Sequence, residues 1–293
     1  MRIELNSGST EQLLEVANAH FSGWPYTRRL DKNLVNSWDS AYGYADCCFL
    51  LAQGNNKPVA FLHGELRQDV AIVHLLAVAD GERQAAVDLL AEFESLAKER
   101  AIGRLIGPHG PTISYYGGYV LGYNPYHPHW AMVATDAYLL AGCEVTGAGC
   151  ILTMPLEARG PDFGLPKGYE MRTESVEEER ATSTYKFSVV HDDRVVGYSF
   201  ASYCAELPAL EGGSIGHVKY VETDPEHRNK GLGRAMVSAS LKAFQRHGAS
   251  EAILVTSFDN AAALRTYEHV GFRRRHLILG VSKQLSGLSN KFL

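Results

Sequence analysis

The run His217-Val-Lys-Tyr-Val-Glu-Thr-Asp-Pro-Glu-His-Arg-Asn-Lys-Gly-Leu-Gly-Arg-Ala-Met236 restricts the fold more than any other part of the chain. Its first residues have the β-branched and aromatic character of a strand, and Pro225 ends that strand. Gly231 and Gly233 then lead into a helix expected over 232–247, with Leu232, Ala235, Met236, Ala239 and Ala243 on one face. A strand passing through glycines into a helix N-terminus has a chemical use. Glycine lets the backbone approach a ligand with no Cβ in the way. The first-turn N–H groups have no intrahelical acceptor and lie at the positive end of the helix dipole. Such a turn is a cradle for pyrophosphate. Arg228 and Arg234 add charge-assisted donors, and Asn229, Lys230 and Leu232 complete the loop. Neither the Gly-Lys-Ser/Thr of a nucleotide-triphosphate loop nor the third glycine of the dinucleotide fingerprint is present. By itself the segment also fits a surface turn with two incidental glycines.

The pattern around this segment is α/β or α+β. A proline- and glycine-rich stretch, 154–168, reads as a linker between a first domain, 1–153, and a second, 169–293. In the second, strands are expected at 169–172, 185–191, 194–203, 216–223, 252–257 and 272–281, with a further helix over 261–269. The first half repeats the order of strands, long helix, strand, shorter helix and strand. It opens with a strand at 2–5 and a helix from Thr10, capped by Ser9 or Thr10. Helices are also expected over 32–40, 82–100 and 130–141. Tyr138-Leu-Leu-Ala-Gly142 and Tyr267-Glu-His-Val-Gly271 occupy corresponding places, as in a tandem repeat.

A second motif decides what the glycine turn is. Asn260-Ala-Ala-Ala-Leu-Arg-Thr-Tyr-Glu-His-Val-Gly-Phe272 follows it. Together the two resemble the GNAT acetyltransferase superfamily. Pro225, Arg228, Gly231 and Gly233 fit the cofactor-loop pattern, although Thr223 stands where valine is usual. Asn260, Ala263, Tyr267, Gly271 and Phe272 fit the pattern of the next helix. The resemblance implies two tandem GNAT-like domains, each a mixed, mostly antiparallel twisted sheet flanked by helices. It implies acetyl-CoA or another acyl-CoA in a gap between two splayed parallel strands. The pantetheine arm would pair with Val221 to Thr223, and the Val221 N–H would polarise the thioester carbonyl. Tyr267 matches the tyrosine that protonates the departing thiolate, and Asn260 contacts the cofactor or caps its helix. The base is either His217, whose ordinary pKa of about 6.5 suits the task, or Glu222. Alternation puts those two on opposite faces of the strand.

The first half reads Ala77-Val-Ala-Asp-Gly-Glu-Arg at the equivalent turn, where acids would repel phosphate, so it is expected to be a degenerate domain that binds no CoA. The aromatic segment Gly107–Trp130 is a candidate wall for the acceptor pocket. Its His109, His127 and His129 lack metal-ligand spacing, and no metal is expected. Five cysteines without a CxxC pair read as reduced thiols. A net charge of −5 with no basic stripe argues against nucleic-acid binding. No apolar run suggests a signal peptide or a membrane span. The expectation is a cytoplasmic monomer or homodimer that acylates a primary amine, with a small-molecule amine as acceptor. The alternative is a non-catalytic acetyl-CoA-binding regulatory or scaffold protein.

Overall fold

The computed structural model describes residues 1–5, 9–22, 30–32, 47–107, 127–128, 132–156, 162–177, 182–209 and 211–285. The helix expected over 32–40 beyond Lys32, the aromatic segment 107–130 apart from Gly107, His127 and Pro128, and residues 157–161 lie outside them. The chain forms two compact units: Met1–Ala148 with Ile278–Leu293, and Gly149–Leu277. This division differs from the expected one at 153. Residues 154 and 155 end a strand rather than begin a linker. Phe163, within the same expected linker, donates its N–H to Ser238 Oγ at 3.4 Å.

The first unit contains β1 (Arg2–Leu5), α1 (Thr10–His20), β2 (Cys47–Gly54), β3 (Lys57–Leu66), β4 (Ala71–Val78), α2 (Arg83–Glu99), β5 (Arg104–Gly107), β6 (His127–Pro128) and α3 (Met132–Leu140). Ser9 starts α1 with a capping box: its side chain accepts from the Gln12 N–H, and its own N–H donates to the Gln12 side chain. Strands β1 to β4 are antiparallel, while β4 and β5 are parallel. Helix α2 buries Ala86, Leu89, Leu90, Phe93 and Ala97 against Leu50, Leu62, Val73 and Leu76. Helix α1 buries Leu13, Val16, Ala17 and Phe21 on the other face, against Leu51, Phe61, Leu75 and Ala77. Each large apolar side chain so enclosed contributes about 1.5–3 kcal/mol relative to exposure.

The second unit takes the last part of β7 (Glu144–Pro155), then β8 (Glu170–Glu177), β9 (Thr182–His191), β10 (Arg194–Pro208), β11 (Ser214–Thr223), α4 (Leu232–Arg246), β12 (Glu251–Ser257), α5 (Ala261–Val270) and the start of β13 (Arg273–Gln284). Its sheet runs β7-β12-β11-β10-β9-β8, with only β11 and β12 parallel. Helices α4 and α5 share one core through Val237, Leu241, Phe244, Leu264 and Val270, packed with Cys150, Leu152, Ala201, Val218 and Leu254.

The repeat extends to the register. In the first unit His63 faces Leu75 and Gly64 faces Val73, leaving His74 as a bulge. In the second, Phe200 faces Tyr220 and Ala201 faces Val218, leaving Lys219 as a bulge. From the bulge the strands run equally far, to Val78 and to Thr223. The following residue then makes the same bond: Ala79 N–H to Val59 O at 2.8 Å, and Asp224 N–H to Val196 O at 2.9 Å. The shorter helices end alike as well, on Gly142 and Gly271 at positive φ. The Cys143 N–H reaches Tyr138 O, and the Phe272 N–H reaches Tyr267 O.

The final strands follow the same rule across the two compact units. In the first unit β5 pairs with Val281–Gln284 of β13, and in the second β12 pairs with Gly149–Pro155 of β7. The first unit thus takes its last strand from the far part of the chain, and the second takes the strand that ends the first sequence repeat. Among the described residues no helix is long and apolar enough to cross a membrane. All five cysteines are free thiols, and only Cys47 is not buried.

Candidate acyl-CoA site

Strands β11 and β12 pair in parallel from Ile215/Glu251 to Val218/Leu254. Both continue beyond that point, to Thr223 and Ser257, without further pairing to each other. The Lys219 bulge lies at the parting, where the extra residue bends one strand. Backbone groups of Val221 to Thr223 on that edge are therefore released from the sheet ladder, and beside them opens a cleft of about 560 Å³.

One wall of the cleft is the turn before α4. Pro225 opens a short 3-10 turn, Asn229 takes φ 62° and Gly231 φ 84°. Gly231 is the N-cap of α4, and no side chain caps it. The first intrahelical bond is Ala235 N–H to Gly231 O, so the N–H groups of Leu232, Gly233 and Arg234 have no acceptor within the helix. Arg228 Nε donates to Thr223 O at 3.0 Å and braces the base of the loop. These groups suit an anionic ligand: three backbone donors at a helix dipole and two guanidinium groups, with no Cβ on Gly233. The other wall is α5. Asn260 caps it, accepting from the Ala263 N–H at 3.2 Å. Tyr267 lies two turns on, and burial pushes its pKa up to about 12. Its phenol therefore holds its proton at neutral pH, as a proton donor must.

Val221, Glu222, Thr223, Arg228, Asn229, Gly231, Leu232, Gly233, Arg234, Asn260 and Tyr267 all line this cleft, whereas Lys230 and His217 do not. Lys230 turns away, its Nζ donating to Tyr169 Oη at 3.1 Å. His217 is buried, 7% exposed. Burial and then the Lys219 charge lower its pKa to about 3, which leaves a neutral imidazole of little basicity. The expected opposition of His217 and Glu222 is corrected by the bulge. His217 faces Ser202 and Glu222 faces Tyr198, so both share one sheet face. Glu222 accepts from Tyr220 Oη at 2.8 Å. The Tyr220 and Tyr198 hydroxyls, in that order, hold its pKa below the ordinary carboxylate range.

Sequence reasoning missed His227, Ala262, Arg265, Thr266 and His269, which also line the cleft. Ala262, Thr266 and His269 recur at helical spacing on α5, and that spacing was the available signal.

The equivalent turn of the first unit is shorter. From the shared bond at Ala79 and Asp224, the first unit reaches its helix in four residues, Ala79 to Glu82, and the second in eight, Asp224 to Gly231. In addition, His20 Nδ1 lies 3.1 Å from Val78 O, so a side chain of α1 occupies the backbone position equivalent to Thr223.

Residues 153–272 match the Acetyltransferase (GNAT) family. Mycothiol acetyltransferase of Kocuria rhizophila is 36% identical over 88 residues, 29% of this chain and 27% of that protein. N-acetyltransferase family 8 member 3 of Rattus norvegicus is 40% identical over 57 residues, 20% of this chain and 25% of that one. The matched stretch thus spans about a quarter of each relative's length. Among solved structures, a tandem GNAT protein from the clavulanic acid biosynthesis pathway superposes with a TM-score of 0.70 at 15% identity, covering 98% of this chain and 100% of that one. A GCN5-related N-acetyltransferase from Sphaerobacter thermophilus gives 0.65 at 12% identity, covering 98% and 97%. The parted strands, the helix-terminal cradle and the repeated register agree with these likenesses: the chain has a tandem GNAT fold, and its residues 153–272 match the acetyltransferase (GNAT) family.

Proposed function

We propose that the protein transfers an acetyl group from acetyl-CoA to a primary amine of a small molecule, using the second unit alone as its donor site. The observation that carries this reading is the junction of three features in one cleft: the unpaired edge of β11, the bare N-terminus of α4, and Tyr267. In this reading the amides of Leu232 to Arg234, with Arg228 and Arg234, hold the pyrophosphate. The Val221–Thr223 edge holds the amide groups of the pantetheine arm. When bound, acetyl-CoA supplies an acyl thioester. The Val221 N–H is suited to polarise its carbonyl, where negative charge gathers as the amine attacks. The acceptor ammonium first loses one proton to water; the N–C bond then forms as the C–S bond breaks, Tyr267 protonates the sulfur, and the second proton, shed by the new amide nitrogen, restores the Tyr267 phenol through solvent. The proton leaves to solvent through water in this reading, because His217 is buried outside the cleft and the Glu222 carboxylate is engaged by the Tyr220 hydroxyl.

The first unit supports a structural role by its four-residue loop and the His20 plug. Free-thiol release from acetyl-CoA across a panel of small amines tests the proposal. Transfer to at least one amine is expected. Acetyl-CoA binding without transfer to any amine would favour a regulatory role. No change in melting temperature on adding acetyl-CoA would refute the donor site itself.

A further inference from the structure

The sheet face opposite α4, and the equivalent face of the first unit, carry different residues at three neighbouring positions. In the first unit it carries Phe61, Leu75 and Ala77, which are 0%, 7% and 0% exposed beneath α1. Register places Tyr198, Tyr220 and Glu222 at the equivalent positions of the second unit. Both helices of that unit put their apolar residues on the other face. Tyr220 is 47% exposed. The Tyr198 and Tyr220 rings stack at 5.5 Å with 25° between their planes. Phe200 meets Tyr198 edge-on at 5.7 Å. Glu222 sits at the end of this tray, takes the Tyr220 hydroxyl at 2.8 Å, and is also part of the cleft lining.

These three substitutions relative to the other repeat have a common chemistry. Aromatic faces attract a cation through the ring quadrupole, most strongly when it is partly desolvated. A carboxylate supplies the opposite charge and directional acceptors. The two phenol donors keep Glu222 ionised and fix its orientation. A neutral or anionic ligand would gain nothing from that charge. We propose that Tyr198, Tyr220 and Glu222 form the docking platform of the acceptor, which arrives as an alkylammonium ion with its nitrogen against Glu222 and its carbon skeleton along the two tyrosine rings. The platform rests on the transferase reading for its purpose, though not for its binding chemistry. Glu222 belongs at the junction because it alone is shared by the tray and the donor cleft, so an amine held there stands beside the Val221–Thr223 edge. Its task is to recruit and orient the amine rather than to deprotonate it.

The test is titration calorimetry on the full chain saturated with CoA, using benzylamine, a cation at pH 7.5, and aniline, neutral at that pH. Wild type should bind benzylamine more tightly than aniline. Glu222→Gln and Glu222→Ala, the latter copying Ala77, should each weaken benzylamine by about tenfold or more while leaving aniline unchanged. Tyr220→Leu, which copies Leu75, should weaken both by a smaller factor. In acetyl transfer, Glu222→Gln should raise the amine KM with kcat held within about threefold. A wild type that binds neither amine overturns the inference. So does Glu222→Gln that binds benzylamine normally, or one that loses kcat at unchanged KM, since that marks a base. Glu222-dependent benzylamine binding in a protein that acetylates no amine would uphold the platform and fail the transferase proposal.

Discussion

Tyr138 and Tyr267 hold the same place in the two repeats but have different surroundings. Tyr138 is fully buried, and a Cβ on Gly107 would come within 2.7 Å of its hydroxyl. Tyr267 lines the cleft with a phenol that stays protonated. Tyr267→Phe is expected to lower kcat by about a hundredfold, with acetyl-CoA binding unchanged, because only a proton donor is lost. Single-turnover rates and calorimetry would separate the two effects. His217 gives a prediction of another kind. Its pKa is about 3 in the folded protein, against about 6.5 when unfolded. Between those values the unfolded chain holds a proton that the native state does not. Its contribution to stability is thus complete above about pH 6.5 and falls as the pH drops toward 3. The melting temperature should decline on acidification through that window, and His217→Gln should make the decline shallower. An unchanged slope would show that His217 does not titrate in this way.

At the scale of elements, the two glycines of the α4 turn have separable duties. Gly231 sits at φ 84°, where any side chain is strained. Gly233 has ordinary helical geometry, and a Cβ there would lie 3.7 Å from Thr266 Cγ2, an unstrained contact. Gly231→Ala should destabilise the fold by about 1 kcal/mol. Gly233→Ala should leave the melting temperature level or slightly higher, since alanine favours helices, yet weaken acetyl-CoA. Equal affinity in Gly233→Ala would mean that no phosphate lies against this turn. The turn and the α5 motif were legible in the sequence because both are local: strand end, glycines, helix cap and helix stripe are written in consecutive residues. The Lys219 bulge was not. It exists only in the register of β11 against β10, which the alternation within β11 alone does not contain. Alternation alone therefore assigned His217 and Glu222 to opposite faces, and the tray of Tyr198 and Tyr220 went unseen.

At the scale of the whole chain, the repeat was legible as an order of elements, but the membership of the last strands was not. Nothing local in Val281–Gln284 reveals that it pairs with Arg104–Gly107. Division at the proline- and glycine-rich stretch should consequently fail. A chain of residues 1–153 lacks β13, one of the two partners of β5, and a chain from 169 lacks β7, one of the two partners of β12. Each half should lose cooperative melting by circular dichroism when expressed alone, whereas the full chain melts as a folded protein. A sharp, independent transition from residues 1–153 would contradict this reading.

The traded strands also bear on what can be discarded over time. In the proposed reading the first unit, with its shorter loop and the His20 contact at Val78, is free to vary at its turn. The first repeat as a stretch of sequence is not free to disappear, because it ends in β7, and losing it through Pro155 would take Gly149–Pro155 from beside β12, under the helices that carry the cradle. Redundancy of chemistry and redundancy of architecture are separate here, because the boundary of the sequence repeat is not the boundary of the compact unit.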